Sequence, residues 1–345
     1  MKTIYFLTDY LNRFGSKHFD SPYRSGMNKD LLHAEFAKYN IEIRFIPLFE
    51  VFKKVPSVPE SIFLYTSSED MGYHYKSFIE DIIFLLEITG GKVIPSYKYL
   101  RANNNKVFME GLRMNIPDPT YKTITSSFYG TLEEMKADLA NLKFPLVIKT
   151  AEGASGRGVF KAMNPRELLS VVKNISRTQF LFYEIKDALR IYKHNGYRPE
   201  SRHRKKFIIQ NFIPDLRNDW KVYYFGDKYY IFYRPVLKHR GFRASGGGYD
   251  NYYYGENASV PDGIFDFVKR LITILNVPQA SLDIAYDGER FHLLEMQFLN
   301  FGTAGIVYSD GYYHEKDGKW EFENEKLTVE KVYIESIVQY LELNK

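Results

Sequence analysis

Two carboxylates and an amide oxygen stand close together in the segment SLDIAYDGERFHLLEMQFLNFG: Asp283, then Glu295, then Gln297. Hard oxygen donors of this kind suit Mg²⁺, and a protein-held Mg²⁺ suits the phosphates of a nucleoside triphosphate. Upstream, FPLVIKTAEGASGRGV supplies a strand ending in Lys149 and then a glycine-rich loop, the other half of a phosphate site. The two segments together point to nucleotide chemistry.

The carboxylates converge only if the hairpin that carries them has the right register. Side chains alternate faces along a strand, so a two-residue turn at Asp287-Gly288 would pair Tyr286 with Glu289 and set Asp283 and Glu295 on opposite faces. A three-residue loop over 286–288, with Gly288 left-handed, pairs Ala285 with Glu289 and Asp283 with Phe291. Asp283, Glu295 and Gln297 then share a face. An odd-length loop or a bulge is therefore expected, and an ordinary hairpin with solvent-facing acids is the alternative for this segment alone.

In TAEGASGRG, Gly153, Gly156 and Gly158 free the backbone to approach phosphates, while Ser155 and the loop amides can donate to them. The loop lacks Walker spacing and no dinucleotide fingerprint is present, so a flexible hairpin tip is the competing reading. Lys149 directly before it strengthens the phosphate reading, as does Lys106 at the start of a short expected helix. In QNFIPD, the backbone of Gln210, Asn211, Phe212 and Ile213 could present an amide and a carbonyl to an adenine edge, with Pro214 interrupting the ladder. The same residues suit a plain edge strand. Asp215 or Asp219 could accept from ribose hydroxyls. Arg243, in FRASGGG, and Arg234, on a strand, suit bidentate contact with phosphate or carboxylate. Asn300 fits a metal or acceptor role and a turn equally well.

The elements that must position these residues fall into three segments. Over 1–102, strands at Thr3 to Leu7, Ile41 to Leu48, Ser61 to Ser67 and Lys92 to Ile94 alternate with helices at Met27 to Tyr39 and Tyr75 to Thr89, the pattern of a doubly wound α/β layer. A central segment, 103–212, holds the glycine loop and two capped helices, one at Thr131 with Glu134 and one at Asn164 with Pro165 and Glu167. The last segment, 213–345, has a hairpin turning at Gly226-Asp227, a helix opening at Pro261, and the acidic hairpin. The stretch from Gln179 to His194 is ambiguous between helix and loop.

The 345-residue chain carries a net charge of +5, mild enough to favour anionic small molecules without requiring a polymer. With no cysteine, disulfides, thiolate metal sites and cysteine nucleophiles are excluded. The N-terminal apolar run is too short for a signal sequence and no stretch reaches membrane-spanning length, so a cytoplasmic location is expected.

From about Asn105 to Gly305 these residues resemble the ATP-grasp superfamily, most of all the branch of ribosomal-protein glutamate ligases and glutathione synthetases. PLVIK with EGASGRG resembles that branch's strand lysine and lid, and Asn105-Lys106 its first lysine. Asp219-Trp220-Lys221-Val222, then Arg234, then FRASGGG resemble the run after its hinge. Its metal ligands are an aspartate followed by Glu-x-Asn about a dozen residues on, and Glu295 lies 12 positions after Asp283. Gln297 departs from the usual asparagine and Gln210 from the frequent hinge glutamate.

The resemblance implies an ATP-grasp fold: a Rossmann-like N-terminal domain and two α+β lobes clasping ATP. It implies ATP with two Mg²⁺ ions, or Mn²⁺ in their place, on Asp283, Glu295 and Gln297. It implies phosphates held by Lys106 and Lys149, further nucleotide contacts from Asp219 and Lys221, and catalytic roles for Arg243 and Arg234. The reaction implied is a carboxylate–amine ligation through an acyl phosphate, with small-molecule substrates. Resemblance of DWKVYYFGDKYY and FRASGGG to proteins associated with surface polysaccharides suggests an acidic sugar as one substrate. A kinase acting on a hydroxyl, or a non-catalytic nucleotide binder, is the alternative. The basic run from Arg190 to Lys206 could serve an anionic acceptor, although charge runs are usually solvated surface; nucleic acid is disfavoured, and a homodimer is left open.

Overall fold

The computed structural model describes residues 2–17, 22–153, 156, 158–178, 181–237 and 241–344, Leu181 by its backbone alone. The chain divides into two compact units, 1–103 with 216–345, and 104–215. Among the described residues no helix is long and apolar enough to cross a membrane.

The larger unit opens with β1 (Lys2–Thr8), α1 (Lys29–Ala37), β2 (Ile41–Pro47), α2 (Val51–Lys54), β3 (Ile62–Tyr65), α3 (His74–Ile88), β4 (Lys92–Ile94) and α4 (Tyr97–Ala102). Helical crossovers make the strands parallel, in the order β2-β1-β3-β4. Alternate residues of β1 feed different cores: Ile4 and Phe6 join Leu32 and Phe36, while Tyr5 and Leu7 join Ile79 and Ile83. A strand covered on both faces needs a continuous apolar run, which is what the sequence shows here.

The smaller unit contains α5 (Lys106–Met114), β5 (Ser126–Tyr129), α6 (Leu132–Asp138), β6 (Leu146–Thr150), β7 (Val159–Ala162), α7 (Pro165–Ile175), α8 (Leu181–Lys193) and β8 (Phe207–Asn211). Its antiparallel sheet runs β5-β8-β6-β7. A capping box starts α6, with Thr131 and Glu134 satisfying each other's backbone, and Asn164 caps α7 ahead of Pro165. Leu132, Met135, Leu168 and Val172 of these helices pack on Leu146, Ile148, Phe207 and Ile209. The ambiguous stretch resolves into α8, while Gln179 and Phe180 lie outside the described residues.

The larger unit resumes with β9 (Asn218–Phe225), β10 (Lys228–Pro235), β11 (Tyr253–Tyr254), α9 (Ile264–Leu275), β12 (Gln279–Tyr286), β13 (Phe291–Gln297), α10 (Ala304–Tyr308), β14 (Tyr312–Lys316), β15 (Lys319–Glu323) and α11 (Val329–Leu343). The sheet order is β13-β12-β9-β10-β14-β15, with β11 on β10. Gly226 turns the β9–β10 hairpin at φ 63°, and a Cβ there would lie 2.3 Å from Gln339 Oε1 and 3.2 Å from Ser336 Cα. Val332, Ile334 and Ile337 of α11 enter the same core as Ile4 and Phe6. Buried Glu330 ties these parts further, pairing with Lys17 at 2.7 Å and accepting from the Asn28 amide at 2.8 Å. The first and third segments marked in the sequence thus share one body.

Buried charge also organises the smaller unit. Arg113 is almost fully buried, paired with Glu110 and donating to the Tyr121 and Ile124 carbonyls at 2.9 and 2.7 Å. Removing it strands a buried carboxylate. Arg113→Ala is expected to lower unfolding free energy by about 3–5 kcal/mol, and replacing Glu110 by Leu as well should recover part of the loss, both read from urea denaturation.

Candidate functional site

In the smaller unit the helices α6 and α7 cover one face of the sheet, and strand alternation puts Lys149 on the other. Lys161 and Gln210 both sit opposite Val147, so they share the face of Lys149. Lys106, buried at the start of α5, donates from Nζ to the Gly153 carbonyl at 2.8 Å, and its backbone amide donates to the Ala151 carbonyl at 2.8 Å. The first lysine therefore anchors the near end of the glycine loop. Gly153 and Gly156 take φ of 112° and 69°. At Gly158 a Cβ would fall 2.0 Å from Thr150 Oγ1, so no side chain fits where the loop returns to β7. Ser155 lies outside the described residues.

The residues leaving β8 divide between structure and availability. Gln210 is buried and donates to Ser126 Oγ at 3.0 Å, which donates in turn to Glu110. Asn211 Oδ1 accepts from the Thr125 amide at 2.7 Å, so its side chain is engaged in holding β5. Phe212 and Ile213 are half-buried; Lys161 Nζ stands 3.7 Å from the Phe212 ring centroid. Asp215 is exposed in the left-handed region at φ 56°.

In the larger unit the acidic hairpin has a different register from the three-residue loop the sequence suggests. Tyr286 pairs with Phe291, which leaves a four-residue loop, 287–290. Asp287 Oδ1 accepts from the Glu289 and Arg290 amides at 2.9 and 2.8 Å, closing the wider turn through its own side chain. A bulge then shifts the pairing between Asp283 and Ile284, so that Ile284 pairs with Leu293 but Asp283 pairs with Glu295. Convergence of the two acids comes from this bulge.

Opposed residues on neighbouring strands share a face. Asp219 faces Arg234, Lys221 faces Asp283, Asp283 faces Glu295, and Ser281 faces Gln297. Six residues singled out in the sequence, Asp219, Lys221, Arg234, Asp283, Glu295 and Gln297, thus form one row across β10, β9, β12 and β13. Arg234 forks onto Asp219 at 2.5 and 2.8 Å and reaches Asp283 Oδ2 at 2.7 Å. Lys221 Nζ lies 2.5 Å from Asp283 Oδ1 and donates to Ser281 Oγ at 3.0 Å. Arg243 is not in this row; it is half-buried in the loop after β10, where Gly246 and Gly248 take positive φ and the Gly247 amide donates to the Tyr252 hydroxyl at 3.0 Å. Asn300 is half-buried, left-handed at φ 54°.

The row is electrically asymmetric. Burial pushes the Asp283 carboxyl up, but Arg234 and Lys221 outweigh it and hold the group well below the usual carboxylate range. For Asp219 burial dominates: Arg234 opposes it, the charge of Asp283 reinforces it, and the carboxyl rests above its ordinary value. Burial works against the Arg234 charge, yet the two carboxylates hold its pKa well above normal.

Metal binding can be judged by the donors present. Asp283, Glu295 and Gln297 offer only oxygen on one sheet face, with Glu295 and Gln297 half-buried rather than sealed. That chemistry fits Mg²⁺, which prefers one or two carboxylates and keeps several waters. Asp283 already faces two cations, so a metal there would share it with Arg234 and Lys221. Two residues not singled out in the sequence join these clusters. Lys161 was legible only through its alternation across the hairpin from Lys149. Ser281 needed the pairing with Gln297.

No family profile matches the sequence, and no curated protein does. Among solved structures the chain resembles the D-cycloserine synthetase DcsG (10% identity, 98% of this chain and 99% of that one, TM-score 0.53). It also resembles the VanG D-Ala:D-Ser ligase of Enterococcus faecalis (13%, 98% and 99%, TM-score 0.52). A third likeness is to a RiPP-associated ATP-grasp ligase of Chryseobacterium gregarium, seen with ADP and a leader and core peptide (13%, 100% and 98%, TM-score 0.51). At such identities the likeness is one of fold.

Arg234 makes the row testable through stability. Arg234→Met leaves Asp219 and Asp283 facing each other without their shared cation, which should cost about 3–5 kcal/mol at neutral pH. In the wild type, Asp283's depressed pKa contributes stability above about pH 4 that is lost as pH falls through its folded value, whereas Asp219's raised pKa costs stability at neutral pH and is relieved on acidification. Without the arginine both carboxyls should rise, so the deficit of the variant should narrow between pH 7 and roughly pH 4.5 in urea unfolding.

Proposed function

We propose, for a chain whose fold is the ATP-grasp fold, that it is an ADP-forming ligase joining a carboxylate to an amine. The observation that carries this reading is the bulged register that sets Asp283 opposite Glu295, with Lys221 and Arg234 on the same face. Recognition of a nucleotide alone needs no such arrangement of acids and cations.

In this reading Asp283, Glu295 and Gln297 hold Mg²⁺, which supplies charge neutralisation at the phosphates. Lys106 and Lys149 bind phosphate oxygens, helped by Lys161 and by the loop amides around Gly153, Gly156 and Gly158. The backbone from Gln210 to Ile213 receives the adenine; Asp219 and Asp215 remain candidates for the ribose. Phosphoryl transfer demands in-line positioning and neutralised charge rather than covalent help. The carboxylate substrate attacks the γ-phosphorus, ADP leaves, and the acyl phosphate is then attacked by the amine with release of phosphate. Arg243 and Arg234 stabilise the charge that develops, and Lys221 holds Asp283 ionised. Ser155 would donate to phosphate.

An acidic sugar or an amino acid is the proposed carboxylate. An open cleft of about 330 Å³ suits a sugar ring, because Tyr252, Tyr253, Tyr254 and Tyr308 line it with Asn257; its charged lining is the acids Glu256 and Asp310, so the carboxylate of such a sugar would lie outside it.

A screen of carboxylates crossed with amines, reading ADP and phosphate separately, tests the proposal. Acceptor-dependent release of both in equal amounts is expected, with a loss of at least about a hundredfold in Glu295→Ala. ADP with a phosphorylated product and no free phosphate would make the enzyme a kinase. Undiminished turnover in Glu295→Ala would end the metal assignment.

A further inference from the structure

α8 is amphipathic in the wrong direction. Its polar side is turned inward: Glu184 accepts from Arg177 and Arg202 at 2.6 and 3.1 Å, and buried Asp187 accepts from the Tyr197 hydroxyl at 2.9 Å. Its apolar side is turned outward. Phe182, Ile185, Leu189 and Tyr192 are 65%, 54%, 64% and 94% exposed, Tyr183 and Ile191 elsewhere around the helix are exposed as well, and among the described residues no side chain of α8 enters the core of the smaller unit. A helix held by its ion pairs while it offers six large apolar side chains to solvent carries a hydration cost that no fold-stabilising role explains.

The spacing states what would cover it. Positions 182, 185, 189 and 192 repeat at three and four residues, the a/d pattern of a seam between two helices. At about 100° per residue they occupy an arc of roughly 80°, while exposed Tyr183 and Ile191 lie outside it. Lys186 and Lys193 border the arc on one side, with Lys186 Nζ 5.3 Å from the Phe182 ring centroid. In the following chain Arg202 pairs with Glu184 on the inward side and Arg204 with Glu200, so the cations beside the seam are Lys186 and Lys193. Two lysines along one border disfavour a second copy of the same helix and favour an acidic partner.

We propose that the outward face of α8 is a docking seam for an amphipathic helix of an acidic peptide or protein, seated by apolar side chains at heptad spacing and oriented by acids that meet Lys186 and Lys193. The seam goes beyond the ligase reading and does not depend on it.

The probe is a fluorescent synthetic helix with leucine at a and d positions and glutamate at the flanking e and g positions, compared with the same helix flanked by lysine. Anisotropy titrations of the full-length protein should show the glutamate peptide binding at least about tenfold more tightly than the lysine peptide. Leu189→Glu with Ile185→Gln should weaken the glutamate peptide at least about tenfold, and because both positions are exposed the melting temperature should hold. Lys186→Glu with Lys193→Glu should reverse the preference to the lysine peptide. Equal binding of both peptides, no binding, or binding untouched by these changes overturns the proposal. So does the finding that the same substitutions abolish instead a concentration-dependent dimer in sedimentation, or retention on phosphatidylglycerol vesicles.

Discussion

A guanidinium held between two buried carboxylates governs the larger unit's site. Asp219 and Asp283 lie on adjacent strands of one sheet; burial disfavours the charge of each, and Arg234, paired with both, opposes that cost. Lys221 adds a second cation to Asp283 alone, which is why the two acids are driven in opposite directions. The asymmetry has a chemical use: the acid proposed as a metal ligand is the one whose ionised form is favoured. The same bonds lock β9, β10 and β12 in register, so the electrostatics of the site and the alignment of the sheet are one constraint.

The smaller unit solves a different problem. Helices α6 and α7 cover one face of its sheet, and α5 lies against the other, where Glu110 accepts from Ser126 and Ser126 from buried Gln210; Lys149 and Lys161 share that second face. Lys149 and Lys161 are half-buried on that face. Lys106 is the exception: it is buried, and a backbone carbonyl of the glycine loop accepts from it. That bond, with the Lys106 amide on the Ala151 carbonyl, ties the loop at its near end.

Much of this was legible because it is local. Capping residues at Thr131 and Asn164, the stripe of α9 and the alternation of β1 through β4 all follow from side chains acting within a few residues of themselves. The charged row was also legible as a set of residue types. Its geometry was not, because a bulge is decided by competition between strands. Asp287 closes a four-residue loop with its own carboxylate, and the extra residue near Leu294 restores the facing of Asp283 and Glu295 that the loop would otherwise destroy. α8 resisted assignment for a related reason: among the described residues its apolar stripe enters no core.

By itself, then, the amino-acid order determined which chemical groups were on hand, oxygen donors, lysines, arginines and glycines in a set succession, together with the helices and strands whose periodicity is written in neighbouring residues. Tertiary structure alone decided that residues 1–103 share a core with 216–345, that Arg234 lies between Asp219 and Asp283, and that α8 turns its apolar side outward. The physical reason is range. Propensity and capping act over a turn or two of chain, whereas burial and ion pairing act between residues that only folding brings together.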